Sequence, residues 1–302
     1  ILFFRLGDFY EVFFEDAEVV SRELEITLTS RSQGDEEIPM AGVPVGNAET
    51  HINTLIDRGF TVAICEQVED ADQASGIVRR DVVRLATPGV VLDTDNLEAK
   101  ESNFVAAVAV TDAGLDAPAG ISCLDVSTGE FRVTEVNSQE QLVSELNRIE
   151  PREVIVPEPR AELFDQIGGA LEGSYLRPRE RETFESKRLL QALSGDPRLA
   201  DDIDHDAYFL ERSDVEGYLE TIREFGFEAP GLVERAGTTV LDYVVETQRG
   251  IPSNVQGVEP YRARSYLIID DSTKANLELT QTLMGGRRTG SLLGIIDKSV
   301  TA

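Results

Sequence analysis

Apolar residues along this chain fall into short runs whose period changes repeatedly. FFRL, near the start, reads as a buried strand interrupted by Gly7 and Asp8. From Tyr10 the apolar residues recur through Val12, Phe13, Ala17, Val20 and Leu24, a spacing that predicts a helix over residues 10–24. Phe9 then falls at a strand-to-helix junction. Glu11 follows in the first helical turn, where the helix dipole favours its charge. Next come a strand in ITLTS, a loop in RSQGDEE leading into IPMAGVP, and a helix over residues 49–58 that Gly59 caps. TVAICEQV and VVRLATPG read as two more strands. Alternating strand and helix signals over residues 1–100 predict a mixed α/β domain.

A polar linker over residues 98–102 precedes a second pattern. FVAAVAV, AGISCLDV and GEFRVTEV read as three consecutive strands joined by turn signals, followed by a helix over residues 139–149 and the strand EVIVPE. Three strands, then helix and strand, is the order of an RNase H-like fold, and it sets a second domain at 101–235. From about residue 236 the pattern turns helical, crosses a Pro/Asn loop and the strand SYLIID, and ends in the helical run TKANLELTQTL. This third stretch, 236–302, reads as the start of an α-helical domain. No internal repeat or low-complexity tract occurs.

Several blocks of this sequence resemble one family in order and spacing. GDFYE, IPMAGVP (38–44), AICEQV (63–68) and VVRLATPGVV (82–91) resemble the N-terminal mismatch-recognition domain of the MutS family of DNA mismatch-repair proteins. ETQRG (246–250) and IIDDSTKANLELTQTL (268–283) resemble the start of that family's helical core. The resemblance implies a mismatch-recognition domain, an RNase H-like connector and a truncated core or lever domain. It implies mismatched double-stranded DNA as the ligand, a MutL-type partner on the connector and a homodimer at full length. ATP and Mg²⁺ are expected as cofactors of the full-length protein only. No G-x-x-x-x-G-K-[ST] phosphate loop occurs, and Gly285-Gly286-Arg287-Arg288 lacks the Lys-Ser/Thr, so this stretch is expected to hydrolyse no ATP. Both ends of the chain look cut.

Within the family the residue matching Phe9 stacks on a mismatched or unpaired base from the minor groove, and the one matching Glu11 hydrogen-bonds that base. An apolar wedge must unstack a base step, which costs a few kcal/mol in a well-paired duplex and less at a lesion. A carboxylate near DNA is repelled by phosphates unless a base donor satisfies it, so Glu11 would also penalise homoduplex. Leu6 and Met40 match positions near the DNA and would supply apolar contact. Arg31 would supply a phosphate partner. Each has a plainer alternative, Leu6 and Met40 as core and Arg31 as one more surface charge. Where the family usually has Tyr-His after the second proline of IPMAGVP, this chain has Val45-Gly46. Arg79, Arg80 and Arg84 form the densest basic patch of the first domain.

Charge complicates this picture. Across 302 residues, 28 Lys and Arg stand against 56 Asp and Glu, a net charge of −28. With 41% hydrophobic residues in periodic runs, the acidity does not mean disorder. It suggests a halophilic, haloarchaeal cytosol, where molar salt screens self-repulsion. Residues 1–100, 101–235 and 236–302 carry net charges of −12, −16 and zero, so the middle segment suits DNA least.

Cys65 and Cys123 lie in apolar runs without motif spacing and read as buried thiols, and His51 and His205 form no metal pattern with them. No apolar run approaches membrane-spanning length, and a cytoplasmic location is expected. Two other classes remain in view. A nuclease built on the second domain would need converging carboxylates on metal ions, yet FVAAVAV carries none and Asp125 has no evident partner. A partner-docking module would read no lesion and would be favoured by a buried Phe9, while the intact pairing of Phe9 with Glu11 argues against a junction-binding paralogue.

Overall fold

A computed structural model describes residues 1–33, 36–69, 78–90, 103–114, 117–158, 171, 173–185, 189, 212–248, 254–263, 273, 276–280, 282–284 and 287–296. The segments read as the linker 98–102 and the strand SYLIID, with parts of ETQRG and of the TKANLELTQTL run, lie outside the described residues.

The first sheet has the order β3-β4-β2-β1-β5-β6. Its strands are β1 (Leu2–Leu6), β2 (Phe9–Phe13), β3 (Thr29–Gln33), β4 (Glu36–Pro44), β5 (Val62–Gln67) and β6 (Arg80–Ala86). Helices α1 (Phe14–Leu24) and α2 (Ala48–Ile56) cover one face. The opening differs from the sequence expectation. Residues 9–13 form a strand, and the helix starts only at Phe14. Tyr10 and Val12 are buried while Phe9, Glu11 and Phe13 are more exposed, the period-2 pattern of a half-buried strand. Apolar residues at 10, 12, 13 and 17 fit both periods over so short a run, and antiparallel pairing with β1 and β4 decided for the strand. Gly7 and Asp8 make the two-residue hairpin turn, with Leu6 opposite Phe9. Gly7 takes φ +61°, the conformation a type II′ turn needs at its first central position.

The segment expected as a loop is strand at both ends, since Arg31–Gln33 and Glu36–Glu37 pair in the β3–β4 ladder. After α2, Gly59 takes φ +84°. Its N–H donates to Ile56 O while Phe60 N–H reaches back to Leu55 O, so the helix ends in a Schellman turn at the expected glycine.

The second sheet runs β11-β10-β7-β8-β9-β12. It comprises β7 (Phe104–Val110), β8 (Ala119–Asp125), β9 (Glu130–Val136), β10 (Glu153–Pro157), β11 (Tyr175–Arg179) and β12 (Glu259–Pro260). β7, β8 and β9 pair antiparallel, and β10 joins β7 in parallel, as the three-strand, helix, strand reading requires. α3 (Gln139–Ile149) packs on one face of this sheet. α4 (Arg212–Glu224) and α5 (Pro230–Gln248) pack on the other. FVAAVAV is apolar throughout because β7 is covered on both sides: Phe104, Ala106 and Val108 face α3, and Val105, Ala107 and Ala109 face α5.

The boundary expected at 235/236 falls inside α5, both halves of which are buried against the second sheet. Helical periodicity begins earlier than the sequence reading placed it, at Pro230, a residue suited to a first helical position. Further along, β12 still adds to this sheet, and Tyr261 donates to the buried Glu145 carboxylate at 2.5 Å.

Candidate nucleic-acid interface

Strand alternation places a set of side chains on the face of the first sheet that neither α1 nor α2 covers. With Phe3 buried on the helix side, Leu2, Phe4 and Leu6 point the other way. With Tyr10 and Val12 buried, Phe9, Glu11 and Phe13 do the same. Residues opposite one another in a ladder share a face. Leu6 faces Phe9, Phe4 faces Glu11, Phe13 faces Met40 and Arg31 faces Ile38, two residues from Met40. All five candidates, Leu6, Phe9, Glu11, Arg31 and Met40, therefore lie on one open face. The sequence reading placed Phe9 at a strand-to-helix junction and Glu11 in a helical turn. Both instead project from mid-sheet strand β2, and no helix dipole acts on Glu11 from its own element.

Phe9 is 46% exposed although it stands in a paired strand. Leu6 is half-buried beside it, and Met40, also half-buried, lies further along the face opposite Phe13. Its neighbour across β4 is Pro44, and Gly42 lies opposite Glu11. A methyl group on Gly42 would lie 3.7 Å from Glu11 Cγ and 3.9 Å from Phe9 Cδ1, so both side chains lean over the same bare patch of backbone. Beneath them Tyr10 donates its hydroxyl to Glu66, and burial, then the Glu66 carboxylate, push that phenol up to about 12.

Cations flank the apolar lane. Arg80 stacks over the Phe4 ring at 5.4 Å and donates Nε to Arg5 O at 3.0 Å. Arg31 stands on edge strand β3, its Nη1 3.6 Å from Glu11 Oε2. The basic patch read from sequence divides: Arg84 pairs with Glu49 of α2, Arg79 lies 4.0 Å from Asp81, and only Arg80 reaches Phe4. Glu11 Oε2 is buried and accepts no hydrogen bond among the described residues. Val45 and Gly46, in place of the usual Tyr-His, form a single 3₁₀ turn after β4. Phe4, Phe13 and Gly42 escaped the sequence reading. The Gly-Asp dipeptide between two apolar runs was the signal, because a two-residue hairpin fixes the register that aligns them.

A second constellation joins the two sheets. Glu153, fully buried, accepts from Arg177 Nε, Tyr243 Oη and Thr87 Oγ1, all at 2.8 Å, and from Gly89 N–H at 3.2 Å. Thr87 and Gly89 follow the last strand of the first sheet, so one carboxylate binds both halves. Nearby, Tyr175 donates to Asp57 O at 2.8 Å, and Arg152 reaches Asp57 Oδ1 at 2.6 Å. Nothing in the sequence marked Glu153, because its four donors come from three separate segments.

The groups weighed as alternative chemistry are engaged structurally. Asp125 caps a turn, accepting from Ser127 N–H at 2.9 Å and Oγ at 2.6 Å, with Asn103 N–H at 3.1 Å on its other oxygen. Cys65 and Cys123 are buried thiols, Cys123 pushed up to about 12 by burial. Among the described residues no three His, Cys, Asp or Glu side chains gather as a metal site, and no helix is long and apolar enough to cross a membrane.

Comparison with known proteins gives the same division of the chain. Residues 1–95 match the family model for MutS domain I, and residues 103–256 match that for MutS domain II. A DNA mismatch repair protein MutS of Myxococcus xanthus is 39% identical over 308 aligned residues, covering all of this chain and 32% of the relative. Its counterpart in Desulfosudis oleivorans is 42% identical over 305 residues, and that in Clostridioides difficile 36% over 305, again with all of this chain aligned. The chain spans about a third of the length of the curated relatives it matches.

Proposed function

The chain belongs to the MutS family, and from that premise we propose that it recognises mismatched or unpaired bases in duplex DNA as the opening step of mismatch repair. Phe9 is the wedge. It enters the minor groove and stacks on the weakly paired base, and its cost at a sound base step supplies the discrimination. Glu11 accepts a hydrogen bond from that base. Leu6 and Met40 line the groove with apolar contact, and Arg31 meets a backbone phosphate.

One observation carries this reading: an aromatic ring 46% exposed on a paired strand, with a carboxylate beside it on the same open face. A side chain held by a ladder on both sides can push between bases without yielding, which a loop residue cannot do. The three remaining roles follow from shared placement on that face.

In this reading the helical core begins after Tyr261, beyond the last strand of the second sheet. At full length the protein dimerises, couples lesion binding to ATP and Mg²⁺ held elsewhere, and docks a MutL-type partner on the second domain. Its acidity suits a cytosol of molar salt, where stacking and shape carry more of the affinity than phosphate contacts. A junction-binding or docking-only role would leave Phe9 without a task.

Fluorescence anisotropy in molar KCl tests the proposal, comparing the intact protein with its Phe9→Ala variant. The ligands are a duplex with one unpaired T and its perfect counterpart. A wild-type preference for the lesion that disappears in Phe9→Ala supports the wedge. Equal binding of both duplexes by both proteins gives the open face to junctions or partners instead.

A further inference from the structure

The open face contains a charge pair that its phosphate and base contacts do not require. Arg31 and Glu11 stand on strands separated by β4, so their side chains meet by crossing it diagonally. Arg31 is 60% exposed, and its Nη1 lies 3.6 Å from Glu11 Oε2. That oxygen is shielded from water and has no hydrogen-bond donor among the described residues. A carboxylate oxygen in this state is poorly compensated, and loss of a nearby cation leaves it more so.

We propose that Arg31 is a positioning residue for Glu11, holding the carboxylate over Gly42 beside Phe9 so that it meets a lesion base already aimed. The inference rests on Glu11 touching that base. A guanidinium carries five N–H donors in a planar fork, so Arg31 can hold Glu11 on one side and present its exposed edge to a phosphate on the other. Backbone contact and base contact thus share one side chain. Arg31 then sets the preference for lesions as well as overall affinity, which separates it from an ordinary phosphate contact. Such a contact weakens every duplex by the same factor.

A double-mutant cycle decides between the two roles. The ratio of lesion to homoduplex affinity is measured for the intact protein, Arg31→Gln, Glu11→Gln and the double variant. In the wild-type background Arg31→Gln is expected to lower the ratio about fivefold, a typical coupling for interacting neighbours. In the Glu11→Gln background it is expected to change the ratio less than about twofold. Equal weakening of both duplexes in both backgrounds would make Arg31 a phosphate contact only and overturn the inference.

A DNA-free measurement keeps the pair testable even if the wild type shows no lesion preference, the result that would defeat the reading of Glu11 itself. With ¹³C-labelled glutamate, the carboxyl resonance lost in Glu11→Gln should move in Arg31→Gln and return towards its position in Arg31→Lys. A resonance indifferent to both changes at Arg31 sinks the pairing.

Discussion

Glu11 and Glu153 are both carboxylates on strands, both partly or wholly withdrawn from water, and their surroundings differ completely. Glu153 receives four donors at 2.8–3.2 Å from the end of the first domain, from β11 and from α5. Among the described residues, Glu11 has the Arg31 guanidinium at 3.6 Å and one oxygen without a hydrogen bond. A buried charge with every acceptor site filled has nothing left to offer a ligand, and its role is to hold segments together. A carboxylate that the fold leaves under-satisfied, beside an exposed aromatic ring, is arranged for something that arrives from outside. Burial alone does not separate structural from functional acids; the count and quality of donors does.

The sharpest way to break this comparison is Glu153→Ala. It strands an arginine, two hydroxyls and a backbone N–H in a dry site, and a loss of about 3–5 kcal/mol in urea unfolding is expected. A loss under 1 kcal/mol would mean that the junction is not held by this carboxylate.

Phe9→Ala should do the reverse. Lesion affinity falls by about 2 kcal/mol, roughly thirtyfold, while the unfolding midpoint hardly moves because the ring is half-exposed. Large destabilisation with lesion preference intact would assign Phe9 to the core.

Alkaline titration sharpens the contrast through the tyrosines. Tyr243, beside Glu153, is raised above its ordinary range by burial and then by that charge, and Tyr10 is pushed up to about 12. An unfolded tyrosine ionises near pH 10 while Tyr10 keeps its proton. Their contribution is complete below pH 10 and is lost as the pH climbs, over the window from 10 to about 12 for Tyr10. Urea midpoints should fall across that range, less steeply in Tyr10→Phe. Identical slopes would show that the phenol is no better protected than in the unfolded chain.

The smallest effect is expected from Glu11→Gln. Stability should stay within about 0.5 kcal/mol, because Glu11 Oε2 accepts no hydrogen bond among the described residues. A cost of 2 kcal/mol would place Glu11 with Glu153 as a structural acid.

The sequence alone showed the order of the first three strands of the second sheet, because FVAAVAV, AGISCLDV and GEFRVTEV are rich in apolar residues and the turns between them are marked by Gly, Asp and Pro. The helix at Gln139–Ile149 was legible from its spacing, while the covering of β7 on both faces came from the structure. Phe9 and Glu11 were singled out through the blocks that resemble MutS proteins. What the sequence left ambiguous was the period between residues 9 and 14, where too few apolar positions distinguish 3.6 from 2. Pairing with β1 and β4 resolved it, and with it the face on which Phe9, Glu11, Leu6, Met40 and Arg31 meet. The Arg31–Glu11 approach, the meeting of Glu11 and Phe9 over Gly42 and the four donors on Glu153 came only from tertiary structure. Each depends on segments far apart in the chain, and only pairing register and packing decide which of them come within reach.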